Sequence, residues 1–169
     1  GYRFSRPDVG SVSLITFPGK TAAKFPDLAK ASDADLLRHI VSDSAVCRIN
    51  TQREILKRGA AGHIDGLGRL ATDKSVHLYG RIAALFTLKQ LAGASENSTI
   101  ARLTADETIR EWAYRALADR KRQTGDVNSA LFVKALRDKN PRVRLQAVIG
   151  LARLGNPHKS LLNIAAEPV

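Results

Sequence analysis

The residues of this chain whose types could do chemistry are four histidines, one cysteine, a pair of glutamates and one tryptophan. His39, His63, His77 and His158 show none of the spacings, such as H-x-x-x-H, that put two imidazoles on one metal ion. No metal site is therefore expected, and each reads as a surface or capping residue. Cys47 stands at the start of a predicted helix, where the dipole can lower a thiol pKa. No motif surrounds it, so a small, buried, inert residue is the better reading. A single cysteine allows no internal disulfide, and the C-x-x-C-H haem attachment pattern is absent. Glu107 and Glu111 lie one helical turn apart, as a pair of acid groups would. Arg110 and Arg115 share that stretch, however, and surface pairing accounts for all four. Trp112 and Tyr114 flank Ala113, and a rotation of about 100° per helical residue lets at most one of them face a core. Trp112 is carried forward as a candidate binding residue, Tyr79 has no stronger claim, and no catalytic or cofactor-binding residue is assigned.

The elements that must position these groups are visible in "NPRVRLQAVIGLARLG", residues 140–155. Read as R-x-x-A-x-x-x-L-x-x-L, its Arg144, Ala147, Leu151 and Leu154 recur as Arg81, Ala84, Leu88 and Leu91. Arg110, Ala113, Leu117 and Arg48, Thr51, Ile55 are shorter copies, with Arg120 and Arg58 where the last leucine would stand. The four leading arginines lie 33, 29 and 34 residues apart, a period that marks a solenoid of repeated supersecondary units. Within each copy the apolar residues follow the i, i+3, i+4, i+7 stripe of an amphipathic helix, as in Ile82, Leu85 and Leu88. A shorter apolar stretch precedes each one: Leu36 to Val41, Ile64 to Leu70, Ile100 with Leu103, and Leu131 to Leu136. Each repeat is predicted to be helix, tight turn, helix.

Turn chemistry supports these boundaries. Asn140 before Pro141 suits an N-cap followed by the first helical position, where proline has no N–H to lose. Ser32 ahead of Asp33 and Asp35 starts a helix with acid in its first turn. Gly59, Gly93 and Gly155 fall just past the second helices, where glycine stops a helix.

These features resemble HEAT repeats, the antiparallel helix pairs of ARM-like solenoids, over about residues 32–166, most closely in "DKNPRVRLQAVIGLARLG". The resemblance implies an all-α fold, an α-α superhelix of about four hairpins at 32–61, 62–94, 95–127 and 128–157, with a partial fifth repeat at 158–169. Ala84, Leu88, Ala113, Leu117, Ala147 and Leu151 are then expected between its layers. It also implies a ladder in which turn aspartates and second-helix arginines tie neighbouring repeats together. Arg48, Arg81, Arg110 and Arg144 are its arginines. Asp43, Asp73 and Asp106 are the within-repeat counterparts of the first three, but their spacings vary from four to eight residues, so the pairing stays open. Arg81 and Arg144 are expected to turn toward carboxylates or carbonyls of adjacent repeats, since no ligand would repeat with them.

The chain is 44% hydrophobic without an apolar run of the ~18 residues that marks a membrane-spanning helix, so no membrane insertion is expected. It has no methionine and begins at Gly1, which reads as a piece of a larger protein. "PHKSLLNIAAEPV" agrees, as a first helix with no second one to cover it, because solenoids need capping repeats. Residues 1–31 stand outside the repeat. "SVSLITF" and "GYRF" are extended candidates and "FPGK" is a turn signal. Two short strands do not stand alone, so this appendage either packs on the first helices or ends an upstream β-domain. A strand ending near "FPGK", followed by "FPDLAKASDADLLRHIVSDSAVCRINTQREILKRG" and "SVHLYGRIAALFTLKQLAG", is similar to the HEAT segment that follows a sugar-dehydrogenase-like β-propeller in large exported bacterial proteins. In that family a c-type cytochrome domain often comes later. The resemblance implies a spacer or docking solenoid in an exported or periplasmic protein, with dehydrogenase and haem chemistry held by other domains.

Charge separates the functional readings. Of the formal net charge of +11, residues 128–169 supply +5, residues 95–127 nothing, and 1–31 and 32–94 supply +3 each. Lys134, Arg137, Lys139, Arg142, Arg144, Arg153 and Lys159 carry the C-terminal excess, and such a cluster can attract any polyanion. The preferred function is a non-catalytic interaction or spacer domain whose concave face, lined by the second helices, holds a protein or a neighbouring domain of the same chain. Its surface candidates are Lys134, Arg137, Lys139, Arg142, Arg153, Lys159 and Trp112. The alternative is a nucleic-acid-binding module, resembling the HEAT-like DNA glycosylases, that uses the basic end and Trp112.

Overall fold

A computed structural model of the chain describes residues 18–19, 24–60 and 62–155. The extended candidates "GYRF" and "SVSLITF", the partial fifth repeat at 158–169, His158 and Lys159 lie outside the described residues. The described chain forms four consecutive helix pairs. Helix α1 (Asp33–His39) pairs with α2 (Ala45–Arg58), α3 (Ile64–Thr72) with α4 (Leu78–Ala92), α5 (Asn97–Arg102) with α6 (Arg110–Leu117), and α7 (Ser129–Ala135) with α8 (Pro141–Arg153). Partners pack on each other, and α2, α4, α6 and α8 pack in succession as a second layer. The architecture is an all-helical α-α superhelix, with no strand among the described residues. No described helix is long and apolar enough to cross a membrane.

The helices begin where side chains can satisfy their free N–H groups. Ser32 Oγ accepts from Asp35 N at 3.1 Å while the Asp35 carboxylate accepts from Ser32 N at 3.3 Å, a reciprocal capping box. Asn140 Oδ1 accepts from Arg142 N at 2.9 Å with Pro141 at the first helical position. His77 is a cap of less common type. Its Nδ1 accepts from Gly80 N at 3.2 Å, so its proton sits on Nε2, which donates to Val41 O at 2.7 Å. One imidazole thus starts α4 and ties it to the turn between α1 and α2. Gly59 and Gly93 end α2 and α4 at φ of 93° and 62°, left-handed values that a side chain would strain.

The apolar stripes meet between the layers. Ala84, Leu88, Ala113, Leu117, Ala147 and Leu151 are all fully buried, with Leu36, Ile55, Leu67 and Phe132 completing a continuous core. A charged group lies inside as well. Lys89 is 1% exposed, and its Nζ donates to Asn97 Oδ1 at 2.6 Å and to Gln123 O at 3.3 Å. Asn97 Nδ2 in turn donates to Gln123 O and to Asp126 Oδ1. Burial lowers the Lys89 pKa, against the raising effect of Asp126 and Asp119. This network fastens the long connection between α6 and α7 to the end of α4.

One close approach gives a prediction. Gly150 is buried in α8 beneath the Phe132 ring, and a Cβ there would lie 2.2 Å from Cε1 and 2.9 Å from Cζ. Phe132 is itself fully buried. Overpacking of this kind costs about 1–3 kcal/mol, while alanine gains only about 0.8–1.0 kcal/mol over glycine inside a helix. Gly150→Ala is therefore expected to lower the urea midpoint with an unchanged slope. An equal or higher midpoint would show that α7 and α8 are not this close.

Candidate functional site

Arg81 opens the inner part of α4, where the repeat pattern fixes it beside the turn of the following pair. It is 3% exposed, and all three of its nitrogens are used. Nε donates to Ala71 O at 3.0 Å, Nη1 to Thr108 Oγ1 at 2.9 Å and Nη2 to Asp106 Oδ2 at 2.8 Å. Arg110 repeats the gesture, with Nη2 donating to Asp138 Oδ1 at 2.8 Å and Nη1 at 3.3 Å from Glu107 Oε1. Each therefore reaches the aspartate of the next turn, 25 and 28 residues along the chain. The within-repeat counterparts Asp73 for Arg81 and Asp106 for Arg110 are not the partners that these bonds select. Burial pushes the Asp106 carboxyl up, but hydrogen bonds from Arg81 and from the hydroxyl and N–H of Thr108, with the Arg81 charge, outweigh it and bring the pKa down to about 2.

The outer two arginines behave differently. Arg48 Nη1 donates to Ser42 O at 2.6 Å and Asp43 O at 2.8 Å, and its guanidinium carbon lies 5.6 Å over the Tyr79 ring. Asp73, 25 residues on, is engaged by the N–H and hydroxyl of Ser75 instead. Among the described residues Arg144 bonds the carbonyls of its own turn, Asp138 O at 2.9 Å and Lys139 O at 3.3 Å, and the repeat that follows it lies outside them.

The basic residues of the C-terminal part do not form one patch. Lys134, Arg137 and Lys139 line a cleft of about 550 Å³ together with Glu107, Arg110 and Asp138. Lys139 Nζ lies 2.9 Å from Glu107 Oε1, and hydrogen bonds from Lys139 and Arg110 hold the Glu107 pKa below its ordinary value. Arg153 is exposed, yet its Nη1 donates to Ala118 O at 2.7 Å and Asp119 O at 3.1 Å, closing the C-terminus of α6. Arg142 stands exposed on the first turn of α8. Trp112 is half-buried, edge-on to Phe86 at 6.4 Å between ring centroids, with the Arg115 guanidinium 5.8 Å from both rings. Tyr114, not Trp112, is the core aromatic, buried against Phe132 at 5.4 Å. Cys47 is 4% exposed and buried in α2. His63 is buried, its Nε2 3.3 Å from Asp33 Oδ1.

Several residues went unnoticed in the sequence. Val46, Ile49, Leu78 and Leu145 are large apolar side chains left in solvent, together with Tyr79. Ile49 and Leu145 each follow a leading arginine by one position, but register alone does not find them, because Ile82 holds the same position and packs against the core.

Stacked helix pairs, two of whose junctions are joined by partly buried arginine–aspartate contacts, define a HEAT-like helical repeat. The family profile described as HEAT repeats matches residues 96–167. No curated protein matches the chain, and no solved structure does.

Proposed function

We propose that this chain is a non-catalytic interaction or spacer solenoid of a larger, exported bacterial protein, and that its second-helix layer holds a neighbouring domain or protein. One contrast carries the reading. The polar groups best suited to chemistry hold the repeats together: Arg81, Arg110, Lys89, His77 and Arg153 all bond to neighbouring segments. The outer side of the second helices instead leaves Val46, Ile49, Tyr79 and Leu145 from 50% to 67% exposed, the kind of surface that marks an interaction site. Arg142 and Trp112 belong to this side, whereas Lys134, Arg137 and Lys139 line a separate cleft. Photo-crosslinkers at positions 49 and 145, introduced into the protein in its own cells, should give discrete products. Crosslinkers at Arg69 and Lys134, on first helices, should give none. Equal, diffuse labelling from both sides would overturn the reading.

The nucleic-acid reading draws on the +11 net charge. On the interaction reading, random duplex DNA binds only weakly and is released near physiological salt, with a logarithmic slope of about −0.9 per phosphate contacted. Charge reversal at Arg137, Lys139 and Arg142 removes even that. Submicromolar binding at ~0.15 M salt, or base release from alkylated DNA that depends on Trp112, would favour the alternative.

A further inference from the structure

The four second helices hold eleven lysines and arginines and two glutamates, whereas the four first helices hold four cations and three carboxylates. The cationic excess of the helices therefore belongs to one layer and not to one end of the chain. Three of the eleven (Arg58, Arg81 and Arg110) face carboxylates. Arg48, Arg144 and Arg153 bond to neutral carbonyls and pair with no carboxylate among the described residues. Arg53, Lys57, Arg115 and Arg142 are exposed and make no ion pair with a described residue.

Register brings these groups onto one side. Counted from the leading arginine of each helix, Val46, Tyr79 and Arg142 stand at −2, and Ile49 and Leu145 at +1. Trp112 stands at +2, Arg53, Phe86 and Arg115 at +5, and Lys57 at +9. At about 100° per residue all of these positions fall within one arc of about 100°, opposite the stripe of buried alanines and leucines. The second helices thus present a strip of arginines, Lys57 and aliphatic and aromatic side chains, with Glu111, at +1, the one carboxylate in that arc. At its middle the Arg115 guanidinium lies against Phe86 and Trp112, and farther along Arg48 lies over Tyr79.

We infer that this strip docks an acidic protein segment bearing large apolar side chains, an inference that rests on the interaction reading above and names the partner's chemistry. Charge complementarity supplies the carboxylates. The exposed Val46, Ile49 and Leu145 favour a peptide over a nucleic acid, because an aliphatic side chain gains nothing against a phosphate backbone, whereas a peptide offers carboxylates and apolar groups together. Three interaxial steps of about 8–10 Å between the four helices give a strip that about eight to ten extended residues would span at ~3.3 Å each.

The test is selection from a random displayed 16-residue peptide library on the intact protein. The expected winners carry a net negative charge and at least two large apolar residues, and they compete with one another. Affinity of the consensus peptide should fall more than about tenfold in an Arg53→Glu/Arg115→Glu/Arg142→Glu variant and in an Ile49→Ser/Leu145→Ser variant. It should change less than about twofold in the first-helix control Arg69→Glu/Arg102→Glu. Neutral or basic winners, equal binding of poly-aspartate, tighter binding of duplex DNA, loss of affinity in the control, or no enrichment at all would each overturn the inference. Discrete crosslinks from positions 49 and 145 to a partner without an acidic segment would overturn it while leaving the interaction reading intact.

Discussion

An Arg81→Ala variant is expected to lose about 3–5 kcal/mol of stability, the cost of removing one member of a buried ion pair. The size follows from what is left behind. Asp106 would keep only its local bonds to Thr108, and Ala71 O and Thr108 Oγ1 would each lose a donor in a site where Arg81 is 3% exposed. Acid should erase part of the difference. Asp106 has its carboxyl brought from an ordinary 3.8 to about 2, so it binds protons more weakly folded than unfolded. Its stabilisation is present above pH ~4 and disappears as pH falls toward ~2. The gap between wild type and variant, read from urea midpoints across that window, should therefore narrow. A loss below about 1 kcal/mol at neutral pH, the level of an exposed pair, would show that the guanidinium is solvated.

Leu151→Ala is expected to cost about 2–5 kcal/mol as a core cavity. Leu151 is fully buried in α8, which packs against both α6 and α7, so few neighbours are free to collapse into the space. Leu145 lies on the same helix but is 55% exposed, and Leu145→Ala should change stability by less than about 0.5 kcal/mol. The two variants together test the register of α8. Equal effects would mean that the helix is rotated from the orientation described.

The helix pairs were legible in the sequence because the signal repeats. R-x-x-A-x-x-x-L states the buried stripe of α8 and α4 twice over, and Asn140–Pro141 and Ser32 mark helix starts through bonds that are local in the chain. Long-range pairings were harder. The bond from Arg110 to Asp138 is set by how one pair stacks on the next, which no local spacing encodes. Lys89 escaped notice because lysine in a helix ordinarily reads as surface, and only the connection from Leu117 to Asn128, folding back over it, makes it internal. The basic residues were read along the chain as a C-terminal concentration. In three dimensions Arg153 closes a helix end and Lys139 meets Glu107, while the larger imbalance lies across the layers.

The forward reach of Arg81 and Arg110 has a consequence for how such a chain can change length. Arg81 and Arg110 are each completed by an aspartate in the following unit, so neither of their two hairpins contains a finished set of partners. The two junctions do this at different offsets, 25 and 28 residues, so a copied or deleted unit keeps a donor facing an acceptor only where its breakpoints leave each arginine with its own following turn. An insertion within a period shifts the two out of phase and strands a buried charge. The overlap makes the distance from each of these arginines to the turn that follows it a selectable quantity.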